Sequence, residues 1–536
     1  MYFAALKYFN FNMKKLLFFL GILLVFLGSC NKDRPKPSWD VDMLMPLFND
    51  TITITDFISD TLLAENPDSS LTFIFDQKLY EVNGDSVVTI PDTVFYWEFS
   101  FFVPITVDPG QVILDEHFDQ LLDFDFGIEL ENAIMHSGEI SFEMENQSDG
   151  NMLSDFTINS AISPEGDTFA LYNQFIPKNE LYNSVSDFSG YKLDFTGEDG
   201  GVYNTFNFNL KFWVDPNEPE PIQFTQADTF KFYVHFTNVV LDYAKGNFGK
   251  TDFQFGPETT EFNMFEDMEI AGFSIGDAYV NLRIDNYYGV DGLLKLLDVN
   301  AKNTTTGESV SLQGDIMDST LYVDRAYQTG PGIDGIHPSK NYFDFSNTNI
   351  FDLLEIMPNE FTYFVGIQTN PTGDTLDHSH FFYLDTPMQV FMEAEVNGGI
   401  GIEDLVIRKE NDWNGANANF DRIGDGLLKL KFTNGFPFSF DIDMFLDDED
   451  GNVIDTLLYN ANIETAIPES DGRVIEPEIS YIEIALNDEL KQSVADAKKA
   501  RYVMHINSAM NEQVKLYSDH TMELKVIGDF KMKLEQ

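Results

Sequence analysis

Alternation of apolar and polar residues is the feature that most limits how this 536-residue chain can fold. Apolar side chains occupy every second position from Phe206 to Val214, and again from Phe230 to Phe236. A period of two places them on one face of an extended strand. Asn-Gly, Asp-Gly and Gly-Gly turn signals recur along the chain and are typical of hairpins. The sequence therefore predicts an all-β, mainly antiparallel protein made of tandem β-sandwich domains.

Few segments read as helices, and those that do are short. Residues 488–500 follow Asn487 as N-cap, carry acids in the first turn and end in lysines. A second helix is predicted over 349–357, where Pro358 stops it. Strands and helices do not alternate along the chain, so a parallel α/β fold is not indicated.

Composition bounds the possible partners. The chain has 51 Phe and 22 Tyr, enough to fill several cores, and its 89 acidic residues exceed its 32 basic ones for a net charge of −57. Nucleic acid binding needs clustered Lys and Arg, so it is excluded as a function. Cys30 is the one cysteine, which rules out internal disulfides. No cofactor is expected beyond a divalent cation held by carboxylates.

Domain boundaries are predicted at proline- and glycine-rich segments. The proline-rich stretch Asp215–Pro221 is the best seam, with a long sandwich loop as the alternative, and a softer boundary falls at Asn397–Gly399. The predicted domains are residues 51–221, 222–396 and 397–536.

Three alternating segments also share a register and end in asparagine. These asparagines are Asn146, Asn286 and Asn434, at separations of 140 and 148 residues. Such spacing favours a repeated domain.

The N-terminus carries an export signal. Met13-Lys14-Lys15 precedes the apolar run 16–27, which is too short to span a bilayer. Leu27-Gly28-Ser29-Cys30 resembles a lipobox, which implies cleavage before Cys30 and lipid on its sulfur. Residues 1–29 are thus interpreted as a signal peptide starting at Met13, and 30–50 as lipid anchor and tether. The implied location is the outer membrane, at its periplasmic face or at the cell surface.

The chain also resembles a family of Bacteroidota lipoproteins. That resemblance lies in the lipobox, in Trp39-Asp40-Val41-Asp42, in Gly246-Asn247-Phe248-Gly249 and in Ser346–Ile350 ahead of Pro358. The repeated unit is similar to the LEA type-2 β-sandwich, although the asparagines of its second and third copies lack the following proline of that family. Neither resemblance implies a reaction.

Candidate sites are few. Asp374, Asp377, His378 and His380 could share a divalent metal, with a solvated loop as the alternative. Gly272–Gly276 matches G-x-S-x-G, but the following residues favour a strand where a nucleophile elbow needs a helix. Asp447–Asn452 resembles a calcium loop out of register, so a hairpin turn is the better interpretation.

Six Asp-Ser/Thr-aliphatic motifs resemble the O-glycosylation acceptor of exported Bacteroidota proteins. The acceptor residues would be Thr51, Thr61, Ser86, Thr93, Thr375 and Thr456. Asp-Thr is equally a common way to enter a strand.

One strand is apolar on nearly both faces. Residues 94–103 (VFYWEFSFFV) read as a central core strand or as the wall of a groove for acyl chains.

These observations favour a lipid-anchored envelope protein with a non-enzymatic binding or scaffold role, beside a possible envelope protein partner. A carrier of lipid or another hydrophobic ligand is the first alternative. A carbohydrate-binding surface protein is the second.

Overall fold

The computed structural model describes residues 38–83, 90–266, 268–373, 378–397, 399–414, 422–508 and 513–535. Antiparallel strands dominate, which confirms the all-β fold class. Two short α-helices occur in the described ranges, α1 (Ile350–Glu355) and α2 (Asp488–Asp496). Single 3-10 turns cover Ile54–Asp56, Asp60–Leu62, Asp125–Gly127, Asp315–Asp318 and Ile333–Gly335.

The strands are numbered in chain order. The first are β1 (Ser38–Thr53), β2 (Leu63–Glu65) and β3 (Leu71–Val82). Next come β4 (Thr93–Ser100), β5 (Ile105–Val107), β6 (Val112–Leu121), β7 (Glu129–Asn146), β8 (Met152–Ile162), β9 (Thr168–Ile176), β10 (Glu180–Asp187), β11 (Lys192–Asp194), β12 (Thr205–Val214), β13 (Ile222–Phe224) and β14 (Thr229–Asn247).

A third group follows: β15 (Thr251–Glu261), β16 (Gly272–Ile275), β17 (Ala278–Asn286), β18 (Gly292–Lys302), β19 (Ser309–Ser311), β20 (Leu321–Val323), β21 (Tyr327–Gln328), β22 (Ile336–His337), β23 (Ser339–Asp344), β24 (Glu360–Thr369), β25 (His380–Tyr383), β26 (Met388–Val396) and β27 (Ile400–Glu403). The last are β28 (Leu405–Asp412), β29 (Ile423–Asn434), β30 (Phe438–Asp447), β31 (Val453–Ile463), β32 (Glu478–Ala485), β33 (Lys499–Ser508) and β34 (Thr521–Glu535).

Strand pairing defines three sandwiches with the same order of strands. Domain A pairs β4-β14-β7-β10 in one sheet and β6-β12-β8-β9 in the other, and β11 links the two by pairing with both β7 and β8. Domain B pairs β3-β26-β17-β23 against β15-β24-β18, with β19 and β20 sharing the last edge. Domain C pairs β1-β34-β29-β32 against β28-β33-β30-β31. Each domain is therefore a copy of one antiparallel design.

The three copies are nested in the chain. The first strand of domain C, β1, is followed by the first strand of domain B, β3, and only then by the whole of domain A. The chain next completes domain B from β15 to β26, and then domain C from β28 to β34. Domain A is thus inserted into domain B after its first strand, and domain B is inserted in the same way into domain C.

This nesting divides the chain differently from the sequence-based ranges. Residues 38–50, interpreted as tether, belong to β1, and their partner strand β34 lies at the other end of the described chain. The predicted range 51–221 contains strands of all three domains. The proline-rich stretch Asp215–Pro221 is a loop between β12 and β13 inside domain A, which corresponds to the alternative interpretation. Pairing between distant segments is not visible in local sequence patterns, which is why the ranges differ.

Two local predictions also change. The helix predicted over 488–500 ends at Asp496, because Lys499 starts β33 and pairs in register with Asp412 and Asp447. Its N-cap is as predicted, since the Asn487 side chain accepts a hydrogen bond from the Leu490 amide. The strand at residues 94–103 is not central: β4 is an edge strand that buries Phe95 and turns Val94 and Tyr96 to solvent.

The predicted repeat is confirmed by its three asparagines, which occupy the same place in each domain. Asn146, Asn286 and Asn434 end β7, β17 and β29 and are at most 2% exposed. The Oδ1 atom of each accepts the amide two residues later, at 2.9–3.0 Å. Each Nδ2 atom donates to the carbonyl four residues later and to a carbonyl at or just after the end of β9, β20 or β31, respectively. After each of these asparagines the chain crosses from one sheet of the domain to the other. The buried backbone groups at the crossing need hydrogen-bond partners, and the asparagine side chain supplies them.

Candidate binding face on domain A

The outward face of the β4-β14-β7-β10 sheet carries a short row of aromatic rings. Tyr96 of β4 stands opposite Tyr233 of β14, with ring centroids 5.0 Å apart. The His235 ring follows along β14, 6.2 Å from Tyr233 and tilted by 24°. Tyr96 is 48% exposed, so its ring is open to a ligand. The edges of the face add exposed Val94, Leu181 and Val185.

Three carboxylates surround these rings. Glu98 accepts a hydrogen bond from the Tyr96 hydroxyl, which raises the pKa of Tyr96 to about 12. Glu145 lies 2.9 Å from the Lys231 ammonium, and its pKa is lowered first by that hydrogen bond and then by Gln147. Glu143 stands 3.8 Å from the Nε2 atom of His235. With one lysine against three glutamates, the face is acidic.

A cleft of about 410 Å³ opens beside the aromatic row. It is lined by Glu143, Glu145, Asn146, Gln147, Asn179, Glu180, Leu181 and Tyr233. Carboxylate and amide oxygens accept hydrogen bonds from hydroxyl or ammonium groups, and tyrosine rings stack on apolar ring faces or on cations. This arrangement suits binding of a hydroxylated or cationic ligand.

A larger cleft of about 840 Å³ lies on domain B, beside the segment that connects β1 to β2. Its walls are the outward face of β3, β17 and β26, the segment 57–62, and Asn263, Met264 and Met268. The Arg283 guanidinium spans this face, pairing with Asp76 and Glu393 and lying 4.1 Å above the Phe391 ring. The adjoining apolar cavity holds only about 30 Å³, which is too small for an acyl chain.

The two histidines of the predicted metal loop contact different partners. His378 bonds the Glu129 carboxylate of domain A at 2.7 Å and stacks on the Tyr203 ring at 3.8 Å. His380 is buried and accepts the Phe248 amide at 3.2 Å. Asp374 and Asp377 lie outside the described residues. Over the described ranges, no three metal-ligating side chains come together.

These histidines instead join domains A and B. β25, which contains His380, pairs with the end of β14, and Phe382 enters the core of domain A together with Tyr288 and Val290. The Gly246–Gly249 motif lies at the same joint. A Cβ atom on Gly246 would approach the Glu129 carbonyl oxygen to 2.1 Å, and Gly249 has φ +63°, so both positions require glycine.

The remaining sequence motifs are structural. Gly272–Ile275 forms β16, which pairs with β27 and is followed by β17, so Ser274 does not stand at a strand-to-helix turn. Asp447–Asn452 makes the predicted hairpin between β30 and β31, with the Asp448 carboxylate accepting the amides of Asp450 and Asn452.

Four of the six predicted acceptor residues lie in the part of the chain that the structure describes. Thr51 in β1, Thr61 in a 3-10 turn and Thr456 in β31 are exposed, and Thr93 starts β4 half-buried. Ser86 and Thr375 lie outside the described residues, as does Cys30. Among described residues, no helix has the length and apolar character needed to cross a bilayer.

Sequence reasoning did not single out the aromatic row. Tyr96 and Tyr233 were visible at outward positions of alternating strands, but their pairing depends on the register between β4 and β14. Aromatic residues at the polar positions of two strands are the signal that could have marked them.

No family model matches the chain, and no curated protein matches it. Among solved structures, it is similar to a protein from Parabacteroides distasonis presumed to be secreted, at 10% identity and TM-score 0.27, covering 92% of this chain and 99% of the other. The VP2 particle of infectious bursal disease virus matches at 8% identity and TM-score 0.11, covering 90% and 86%. At these TM-scores neither likeness supports an argument about fold or function.

Proposed function

We propose that this chain is a lipid-anchored cell-envelope protein with a non-enzymatic binding role, in which domain A is the binding module and domain C the support next to the anchor. The nested order of the domains carries the proposal. β1 begins eight positions after Cys30 and is built into domain C, whereas domain A is reached only through domain B. The lipobox and the lipoprotein resemblance support the anchor.

Rigid joints suit this role. β25 and β14 pair across the boundary between domains A and B, and β16 pairs with β27 near the boundary between B and C. Ile400 and Val514 exchange two backbone hydrogen bonds at the same place. Domains B and C also share one continuous apolar core. Such joints hold the face of domain A in a fixed orientation relative to domain C.

Carbohydrate binding is the second candidate, and the same face favours it. The Tyr96–Tyr233 pair beside carboxylates and amides could stack on a sugar ring and accept its hydroxyl hydrogens. The lipid-carrier alternative has less support, because the apolar cavity of about 30 Å³ has no room for a chain.

Anchoring is tested by cell fractionation of the Cys30→Ala variant. We expect the parent chain in the outer-membrane fraction, labelled by a fatty-acid analogue, and the variant unlabelled and absent from the mature membrane form. Protease treatment of intact cells then shows which side the body faces. Equal labelling and fractionation of parent and variant would contradict the anchor.

Binding is tested on a glycan array with the purified chain and with Tyr233→Ser. A glycan signal that this substitution removes would establish the second candidate. A matched control is Tyr342→Ser, which changes a 54% exposed tyrosine of domain B outside both clefts.

A further inference from the structure

The first strand of each domain is an edge strand, and the three edges differ. β1, β3 and β4 pair with the last strands β34, β26 and β14 of their domains. An exposed edge offers free amides and carbonyls to any passing strand, and natural proteins usually block it. The three equivalent strands therefore allow a direct comparison within one chain.

Two of these edges are protected. β1 contains Pro46, a register shift beside it, and the charges of Asp40, Asp42 and Asp50. β3 is covered over its first residues by β2, which pairs Leu63 with Phe73. Proline, bulges, charges and covering segments are the usual means of preventing strand addition.

Within the described residues, the edge of β4 has no proline, no register shift and no covering segment, and it carries a single charge. Its eight residues, Thr93–Ser100, include no proline and one charge, Glu98, and they pair with β14 alone. Val94 and Tyr96 are 53% and 48% exposed, and Phe102 just beyond the strand is 88% exposed. An apolar edge of this length, with no covering segment among the described residues, marks an interaction site.

We propose that β4 accepts an added antiparallel or parallel strand from a partner protein whose outward residues are lysine or arginine and whose inward residues are aliphatic. Each outward side chain of such a strand would lie beside Tyr96 or Glu98, where a cation can stack on the ring and pair with the carboxylate. Inward side chains would lie next to Trp97 and towards Phe118 of β6, whose rings are 4.7 Å apart.

Charge selects the occupant. The chain has a net charge of −57, so a second copy approaching the same edge is repelled, whereas a basic segment is attracted. This inference rests on the proposed binding role of domain A. Its test uses the purified chain in solution, so a negative result would leave the outcome of the anchoring experiment unchanged.

The probe is a fluorescent peptide of the same 8-residue length as β4, alternating lysine with valine. A lysine-proline peptide of equal length and charge is the control, because proline fixes its own φ and restricts the residue before it, so this peptide favours polyproline II over a β-strand. With the purified full-length mature chain at physiological ionic strength, we expect the lysine-valine peptide to bind at least about tenfold more tightly. Equal binding would show nonspecific attraction to an acidic protein and would overturn the proposal.

Two variants locate the site. Glu98→Lys should weaken binding of the lysine-valine peptide by about three- to tenfold, and Glu308→Lys, the same charge change at an exposed turn of domain B, should have no effect. Hydrogen exchange should show the free amides of β4 protected by the peptide. Binding without that protection, or an equal loss in both variants, would contradict strand addition.

Discussion

Domains A and C use the same strand order and the same buried asparagine, yet they are closed in different ways. The two sheets of domain A are built from one continuous segment, from β4 to β14, to which β25 adds by pairing with β14. Domain C joins β1, which ends at Thr53, to strands that begin at Leu405. Their cores differ in proportion: rings such as Phe142 and Phe156 dominate the first, whereas the second mixes aliphatic residues such as Leu430 with rings such as Phe438. The fold therefore depends on the crossing asparagine and the strand register more than on the identity of the core residues.

The largest effects should come from matched residues of the first strands. Phe48 and Phe95 hold equivalent positions in their domains. Each pairs with a valine of the neighbouring strand, and that valine in turn pairs with the residue four positions before the buried asparagine of the same domain. Phe48→Ala and Phe95→Ala should each cost about 3–5 kcal/mol, since both rings are at most 5% exposed.

Hydrogen exchange distinguishes the two closures. Phe48→Ala should reduce protection in β33 and β34, more than 440 positions away in the sequence, whereas Phe95→Ala should act within β4–β14. If Phe48→Ala leaves the protection of β34 unchanged, β1 does not close domain C.

The asparagines should have the next largest effect. Asn434→Ala leaves the carbonyls of Phe438 and Glu464 and the Phe436 amide without their partner, and Asn146→Ala does the same in domain A. We expect each substitution to lower the free energy of unfolding, measured with urea, by about 3 kcal/mol. The exposed Asn183→Ala serves as control and should change stability by less than about 0.5 kcal/mol. A small effect in one domain only would break their equivalence.

These residues also show how far the sequence predicts the fold. Alternation at Phe206–Val214 and the three Asn-terminated runs were sufficient for the fold class and the repeat, because strand period and turn chemistry are local. The nesting was not predictable from local patterns. It depends on pairing between β1 and β34, for example between Trp39 and Leu534, and these residues lie far apart in the chain. The Tyr96–Tyr233 pair escaped prediction for the same reason.

A smaller effect of pH on stability should appear in domain C. Burial lowers the pKa of His520 to about 4, from an ordinary value of 6.5. The unfolded chain therefore takes up a proton first as the pH falls, so the stability from the neutral ring is complete above about pH 6.5 and lost towards pH 4. At about pH 5.5 domain C should lose about 1 kcal/mol, and His520→Gln should remove this loss. If stability depended on pH in the same way in the variant and in the parent chain, His520 would not be the cause of the loss.

Surface ion pairs should matter least. Lys231→Met on the candidate face and Lys429→Met in domain C break pairs at 2.9 and 2.7 Å that are partly open to solvent. Each should change stability by less than about 1 kcal/mol. A larger loss with Lys231→Met would mean that the face supports the fold of domain A and is not simply available to a ligand.

The central claim, that β1 closes domain C by pairing with β34, is tested most directly by a cross-link. In a Cys30→Ser background, Asp42→Cys and Lys531→Cys are register partners of β1 and β34, so their Cα atoms lie about 5 Å apart, within disulfide range. Pairing Asp42→Cys with Glu523→Cys gives the control, because Glu523 lies opposite Thr51, about 26 Å along the strand. Oxidation followed by mass spectrometry should link residues 42 and 531 and leave the control pair unlinked. Absence of the first link, or equal linkage in both, would contradict the nested fold.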